Sequence, residues 1–189
     1  MNQPKLALGR SKYKIFVNLI RIKYLQILGL NIKPGGVIDR IVCNWPKNIY
    51  IGSNCIIRGG VNFEIQMPFS DQNYIQIGDR VFIGTGCSFI CASRIVIGND
   101  SLIGGHSIIV DVNHERKGDS TINSQPVISK EIIIGNDVGI GTGCIILPGV
   151  TIGSGSLVAA GSIVNRSIPE NEMWAGSPIR FLGKRNNNE

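Results

Sequence analysis

Histidine is scarce in this chain, with only His106 and His114, and the setting of His114 is where the chemistry is sought. It closes the string Asp111-Val112-Asn113-His114, directly before a polar stretch. An imidazole with a free pKa of about 6.5 is a general base suited to neutral pH, so His114 is the candidate catalytic group. Asp111 is the second candidate: its carboxylate can orient the imidazole or hold a hydroxyl, or bond backbone at a turn. Asn113 carries the same ambiguity as a substrate contact. His106 falls on an outward or corner position and reads as surface, or as a group at a subunit interface or in the substrate site.

Other chemistry is thin. The five cysteines form no C-x-x-C pair, and three of them (Cys55, Cys87, Cys144) fall on small inward positions, so they are expected to be reduced core residues. No Gly-rich phosphate loop followed by a helix is present, and two histidines in all argue against a three-histidine zinc site. No metal is expected. Arg166, Arg180, Lys184 and Arg185 gather near the C-terminus, where they can meet phosphates or form a solvated tail. Beside Asn186 to Asn188, Arg185 is expected to be disordered.

These residues are positioned by a repeat. Between 134 and 164 an aliphatic recurs every six positions (Ile134, Ile140, Ile146, Ile152, Val158, Val164), and Gly135, Gly141 and Gly153 follow directly. Six is the period of neither a helix nor a half-buried strand, and it demands a turn in every unit. Small or β-branched residues four positions on (Val138, Cys144, Val150, Ser156, Ser162) complete an inward pattern of alternating fours and twos. Stacked units then bury a column that no single unit buries alone. Upstream the same pattern holds from Ile77 to Ile109, with a two-residue slip before Ile97, while residues 34–74 are irregular. Residues 115–131 are too polar for coils and should leave the stack as a loop, and a loop of that size inside a compact repeat is usually functional.

Ahead of the repeat, residues 10–28 lack Pro and Gly, and Ile15, Phe16, Leu19, Ile20 and Ile27 recur at helical spacings, so a helix ending at Gly29 is expected. Residues 1–33 carry seven basic residues and no acid, leaving −1 on the remainder of a chain whose net charge is +6. The helix either caps the open end of the stack or makes peripheral contact with an anionic membrane. Its charges interrupt any transmembrane run and any signal peptide, so a cytoplasmic protein is expected, with no nucleic-acid partner. The organisation is thus a basic helical segment at 1–33, a repeat domain at 34–169 containing the loop, and a tail at 170–189.

The string IIIGNDVGIGTGCIILPGVTIGSGSLVAAGSIV, followed by MWAGSPIR, resembles the coils and closing tail of the hexapeptide-repeat acyltransferases. Asp111-Val112-Asn113-His114 resembles the Asp-x-x-His stretch of sugar O-acetyltransferases such as the maltose and galactoside enzymes. The resemblance implies an all-β fold, a left-handed parallel β-helix with an N-terminal α-helix, an excursion loop and a C-terminal tail. It implies transfer of an acetyl group from acetyl-CoA to a sugar hydroxyl, in surface polysaccharide biosynthesis, with His114 as base and a homotrimer sharing sites between chains. Gly141, Thr142 and Ala160 would contact the coenzyme's pantetheine arm, and Arg166 and Arg180 its phosphates. Gly139 stands where many relatives have a tryptophan. The alternatives are N-acyl transfer to an amino sugar or nucleotide sugar, and a non-enzymatic structural β-helix.

Overall fold

In the computed structural model the backbone is described for residues 5–185 and side chains from Phe16 onward. The repeat folds as a left-handed parallel β-helix of triangular coils, whose three sides are three parallel sheets. The first side stacks Asn31–Ile32, Ile49–Ile51, Tyr74–Ile77, Arg94–Ile97, Ile132–Ile134 and Thr151–Ile152. The second runs from Val37–Ile38 through Leu102–Ile103, Gly139–Ile140, Leu157–Val158 and Glu172–Ala175, and ends on Arg180–Lys184. The third runs from Val42–Cys43 through Asn62–Ile65, Ser88–Cys91, Ile108–Val110 and Ile145–Ile146 to Ile163–Val164.

The period of six becomes register. Ile51, Ile77, Ile97, Ile134 and Ile152 pair in sequence up the first side, and Ile57, Ile83, Ile103, Ile140 and Val158 up the second. All are buried, as are the small positions Val138, Cys144, Val150, Ser156 and Ser162. Each fully buried aliphatic contributes about 1.5–3 kcal/mol of transfer free energy. Where the small position is serine, its hydroxyl is satisfied across coils: Ser107 Oγ donates to the Gly141 carbonyl at 3.1 Å and accepts the Cys144 amide at 3.2 Å. The two-residue slip before Ile97 has a simple source. Strand Ser88–Cys91 continues its alternation one step further, so Phe89 and Cys91 both point inward, and Phe89 stacks on Phe63 with centroids 5.1 Å apart.

The N-terminal helix, Lys5–Ile27, begins earlier than expected and covers the open end. Leu25 is buried and Ile22 packs on the core, while Asn18 Nδ2 and Arg21 Nη2 donate to the first-coil carbonyls of Ile38 and Ile41. The covering face is therefore not the one drawn from the sequence. Phe16, Ile20 and Ile27 lie exposed on the opposite side, Leu19 borders the groove between helix and first coil, and the side chain of Ile15 is outside the described residues. No described helix is long and apolar enough to cross a membrane.

The tail also differs from a bare appendage. Glu172–Ala175 adds a further rung to the second side in parallel with Leu157–Val158, and Arg180–Lys184 folds back antiparallel on it. Trp174 packs partly buried against the end of the core and edge-on to Phe181, with centroids 5.8 Å apart. Arg185, expected to be disordered, instead ties the tail down: its Nη1 donates to Asp137 Oδ2 at 2.8 Å and to the Gly155 carbonyl at 3.0 Å.

Candidate active site

The excursion leaves the stack after Ile108–Val110, at the corner between the third and first sides. It is more ordered than a polar loop suggests. Val112–His114 pairs antiparallel with Val127–Ser129, and between them Ile122–Ser124 makes a 3-10 turn. Buried Gln125 substitutes for a core: its amide accepts the Lys117 N–H at 2.7 Å and donates to the carbonyls of Lys117 and Ser120 at 2.8 and 3.2 Å. The root is closed where the Lys130 amide donates to the Asp111 carbonyl at 2.8 Å.

His114 is exposed on the ascending strand of this hairpin. It opens onto a depression of about 380 Å³ lined by Asn113, Glu115, Arg116, Lys117 and Ile128. Among the described residues its imidazole makes no hydrogen bond. Asn113 is exposed beside it, and its Oδ1 accepts the His114 backbone N–H at 2.9 Å, which leaves its amide NH₂ free toward solvent. Glu115 and Lys117 pair at 2.8 Å on the rim.

Asp111 does not reach the imidazole. It is fully buried, and its Oδ1 and Oδ2 accept the amides of Ala92 and Ser93, at the corner of the preceding coil, at 2.7 and 2.8 Å. Of the readings open from the sequence, backbone bonding is the one observed, across coils rather than within its own turn. The reason is position: Asp111 follows Ile109 by two, as Cys91 follows Phe89, and occupies the inward slot of an extended strand. Burial pushes its carboxyl above the usual range despite those two amides. The same burial, and then the charge of Asp111, raises the Cys91 thiol far above its ordinary value. Cys55, Cys87 and Cys144 are buried with thiols likewise raised by burial, and all five cysteines are unpaired, so none has the character of a thiolate nucleophile.

The predicted donor residues separate into groups. Gly141, Thr142 and Ala160 come together at the corner between the second and third sides, where the Gly161 amide donates to the Thr142 carbonyl at 2.9 Å. A Cβ on Gly141 would fall 2.3 Å from the Ala160 nitrogen, so only glycine permits that stacking. Gly141 and Ala160 border a groove of about 680 Å³ on the outer face of the second side, which also includes Leu102, Gly139, Leu157 and Trp174. Arg166 lies elsewhere, exposed at the corner between the third and first sides, and Arg180 is exposed at the start of the last strand. His106 takes a left-handed φ of 58° at the second-to-third corner, with its ring lying over Gly86.

Sequence reasoning missed Gln125, Trp174 and Arg185 as organisers of the site's surroundings. The signal for Trp174 was present as a large apolar residue in the inward slot of one more coil. Gln125, in a polar run, offered none.

His114 and the Gly141–Thr142–Ala160 corner stand at opposite edges of the third side, and the two depressions share no residue. One copy of the chain therefore does not bring His114 and the Gly141–Thr142–Ala160 corner together.

Residues 131–166 match the family model described as bacterial transferase hexapeptide (six repeats). No curated protein sequence gives a significant match. Among solved structures, a point mutant of AntD, an N-acyltransferase from Bacillus cereus, in complex with dTDP-4-amino-4,6-dideoxyglucose and coenzyme A, superposes with a TM-score of 0.76. The identity is 21%, over 87% of this chain and 89% of that one, and the likeness is one of fold. A galactoside acetyltransferase in complex with coenzyme A is 26% identical over 88% of this chain and 70% of its own, with a TM-score of 0.60. A hexapeptide-repeat-containing acetyltransferase from Vibrio cholerae is also 26% identical, over 94% and 89%, with a TM-score of 0.59.

Proposed function

From a chain whose later coils carry the hexapeptide repeat of bacterial transferases, we infer an acyltransferase that uses a coenzyme A thioester as donor and a sugar hydroxyl as acceptor. The acyl group is read as acetyl and the setting as surface polysaccharide assembly. The observation that carries this reading is His114, an exposed imidazole with no described hydrogen-bond partner, held on an ordered hairpin beside its own depression. The structures bound to coenzyme A that share the fold support the donor class.

His114 takes the proton of the acceptor hydroxyl as its oxygen attacks the thioester carbonyl. The C–O bond forms, the C–S bond breaks, and the coenzyme thiolate leaves with the proton returned by the imidazolium. Backbone N–H groups at the glycine-rich corner are suited to the developing oxyanion. The raised cysteine pKa values favour this direct transfer over an acyl-cysteine intermediate. Since base and donor corner lie apart in one chain, the site is completed by a second copy, in a closed homotrimer with three equivalent sites. Gly141, Thr142 and Ala160 would line the donor there; Arg166 and Arg180, exposed near the last coils, would meet its phosphates, and Asn113 the acceptor.

The likeness to AntD keeps N-acyl transfer to an amino sugar nucleotide as a second reading. The test is release of free thiol from acetyl-CoA with a panel of sugars, nucleotide sugars and their amino counterparts. Release dependent on a hydroxyl acceptor is expected. Release only with amino sugars would replace the acceptor class, and none with any acceptor or acyl-CoA would overturn the function. Mixing His114→Ala subunits with subunits blocked at the donor corner by a bulky residue at exposed Ala160 should restore part of the activity after exchange, whereas a fully active monomer would end the shared-site reading.

A further inference from the structure

The N-terminal helix is apolar on two opposite faces. One face, through Ile22 and Leu25, covers the end of the solenoid. The other presents Phe16, Ile20, Tyr24 and Ile27 to solvent, with Phe16 exposed to 62% and Ile27 to 82%. Successive positions 16, 20, 24 and 27 follow the spacing of a single helical face. A contiguous exposed apolar stripe of this kind marks an interaction surface, so this outer face calls for a covering partner.

Charge decides which. Residues 1–33 hold seven basic residues and no acidic one, while all the rest of the chain sums to −1. A second copy, whose remaining residues sum to only −1, offers this strongly basic segment little net negative charge to match. An anionic bilayer offers negative headgroups and an apolar layer in the same place. Lys23, one turn from Ile20 and Ile27, is exposed where this face borders the groove against the first coil, and its long side chain can reach headgroups while its neighbours insert. The helix also sits at the extremity of the solenoid, with no described coil beyond it, so a planar surface can approach without meeting the excursion or the tail.

We propose that the outer face of the N-terminal helix, built on Phe16, Ile20, Tyr24 and Ile27, docks this protein in the plane of an anionic lipid surface, with the β-helix standing off into solution. The helix then acts on both sides at once, as the lid of the solenoid inward and as an interfacial anchor outward. This inference does not depend on the reaction catalysed.

The experiment is flotation of the full chain with vesicles of phosphatidylcholine alone and with about 30% phosphatidylglycerol added. Recovery with the anionic vesicles, at least about tenfold weaker binding to the neutral ones, and loss on raising salt are expected. Ile20→Ser/Ile27→Ser should weaken anionic binding by about tenfold or more while leaving the solution mass by light scattering unchanged. Equal recovery with both vesicles, or none, overturns the proposal. So does a variant that changes the mass of the assembly without changing vesicle binding, because the face would then belong to a second copy. Should the double variant fail to fold, Tyr24→Trp serves: its added emission should shift to the blue on anionic vesicles, and an unshifted spectrum counts equally against the proposal.

Discussion

His114 lies directly across the antiparallel ladder from Val127, so the candidate base is held by the pairing of the excursion's two strands and not by the solenoid itself. Replacing the imidazole should therefore leave the fold intact. His114→Ala is expected to lower kcat by about 10²–10⁴-fold, the usual contribution of a positioned base, with the Kd for coenzyme A within twofold of wild type. Steady-state kinetics beside calorimetric titration of the coenzyme would check both. More than half the wild-type rate in the variant would remove His114 from the mechanism.

Asp111→Ala should act through structure. It leaves two amides of the preceding corner without their acceptor, at about 1–3 kcal/mol for a buried unsatisfied donor, and it loosens the root from which His114 projects. The pH dependence has a definite sign. Burial raises the carboxyl in the folded state, so the native protein binds its proton more tightly than the unfolded chain. The contribution of Asp111 is then greatest in acid and falls as pH rises from the ordinary carboxylate range through the raised value. Urea melts across that window should show the gap between wild type and Asp111→Ala narrowing toward neutral pH. A widening gap would mean that the two amide bonds outweigh desolvation.

How much of this was visible in the chain depends on whether neighbours or sequence spacing set the conformation. Ile134, Ile140 and Ile146 disclosed the coils because each must fill the same column, and the buried small residues Val138 and Cys144 followed from the same count. The hairpin at 112–129 was hidden because its strands are only three residues long and enclose a polar run, and its order comes from Gln125 bridging Lys117 and Ser120. For Asp111 the sequence left the imidazole, a hydroxyl and the backbone open as partners. Two residues past Ile109, it had already turned inward, which the alternation at Phe63–Ile65 and Phe89–Cys91 foreshadowed. Of the site itself, His114 and the Gly141–Thr142–Ala160 corner were legible as candidates. Their separation across the third side was not, because it depends on which corner each occupies.

Cys144→Asp probes the column. Cys144 is fully buried, with Sγ donating to the Ala159 carbonyl at 3.2 Å and no cation beside it in the interior. A carboxylate there should destabilise by about 3 kcal/mol or more, at the upper end of single-substitution effects. A thermal melt that matches wild type would disprove the inward assignment of this position.

Gly139 probes the groove. A Cβ at this position would lie 2.6 Å from Leu157 Cδ2, the mobile end of a side chain leaning into the space that glycine leaves between Leu102 and Leu157. Gly139→Trp should displace Leu157 and fill that notch. If the acyl group lodges there, kcat/KM for butyryl-CoA falls about tenfold relative to acetyl-CoA, in line with the discrimination that pocket volume gives. An equal fall for both donors would place the notch under another part of the coenzyme.

The closed root of the excursion has a consequence for how such a protein diversifies. Ile95, Val96 and Ile97 pair with Ile132, Ile133 and Ile134, and Ile108 and Ile109 with Ile145 and Ile146, as though residues 112–129 were absent. The amide of Lys130 meets the carbonyl of Asp111, and the ladder resumes without a missed rung. The excursion is in effect a cassette plugged into one corner. Its length and composition can drift, or be exchanged for those of another protein, while the scaffold that stacks the donor corner stays in register. Whatever the excursion contributes is thereby free to vary independently of the coils that carry the glycine-rich corner.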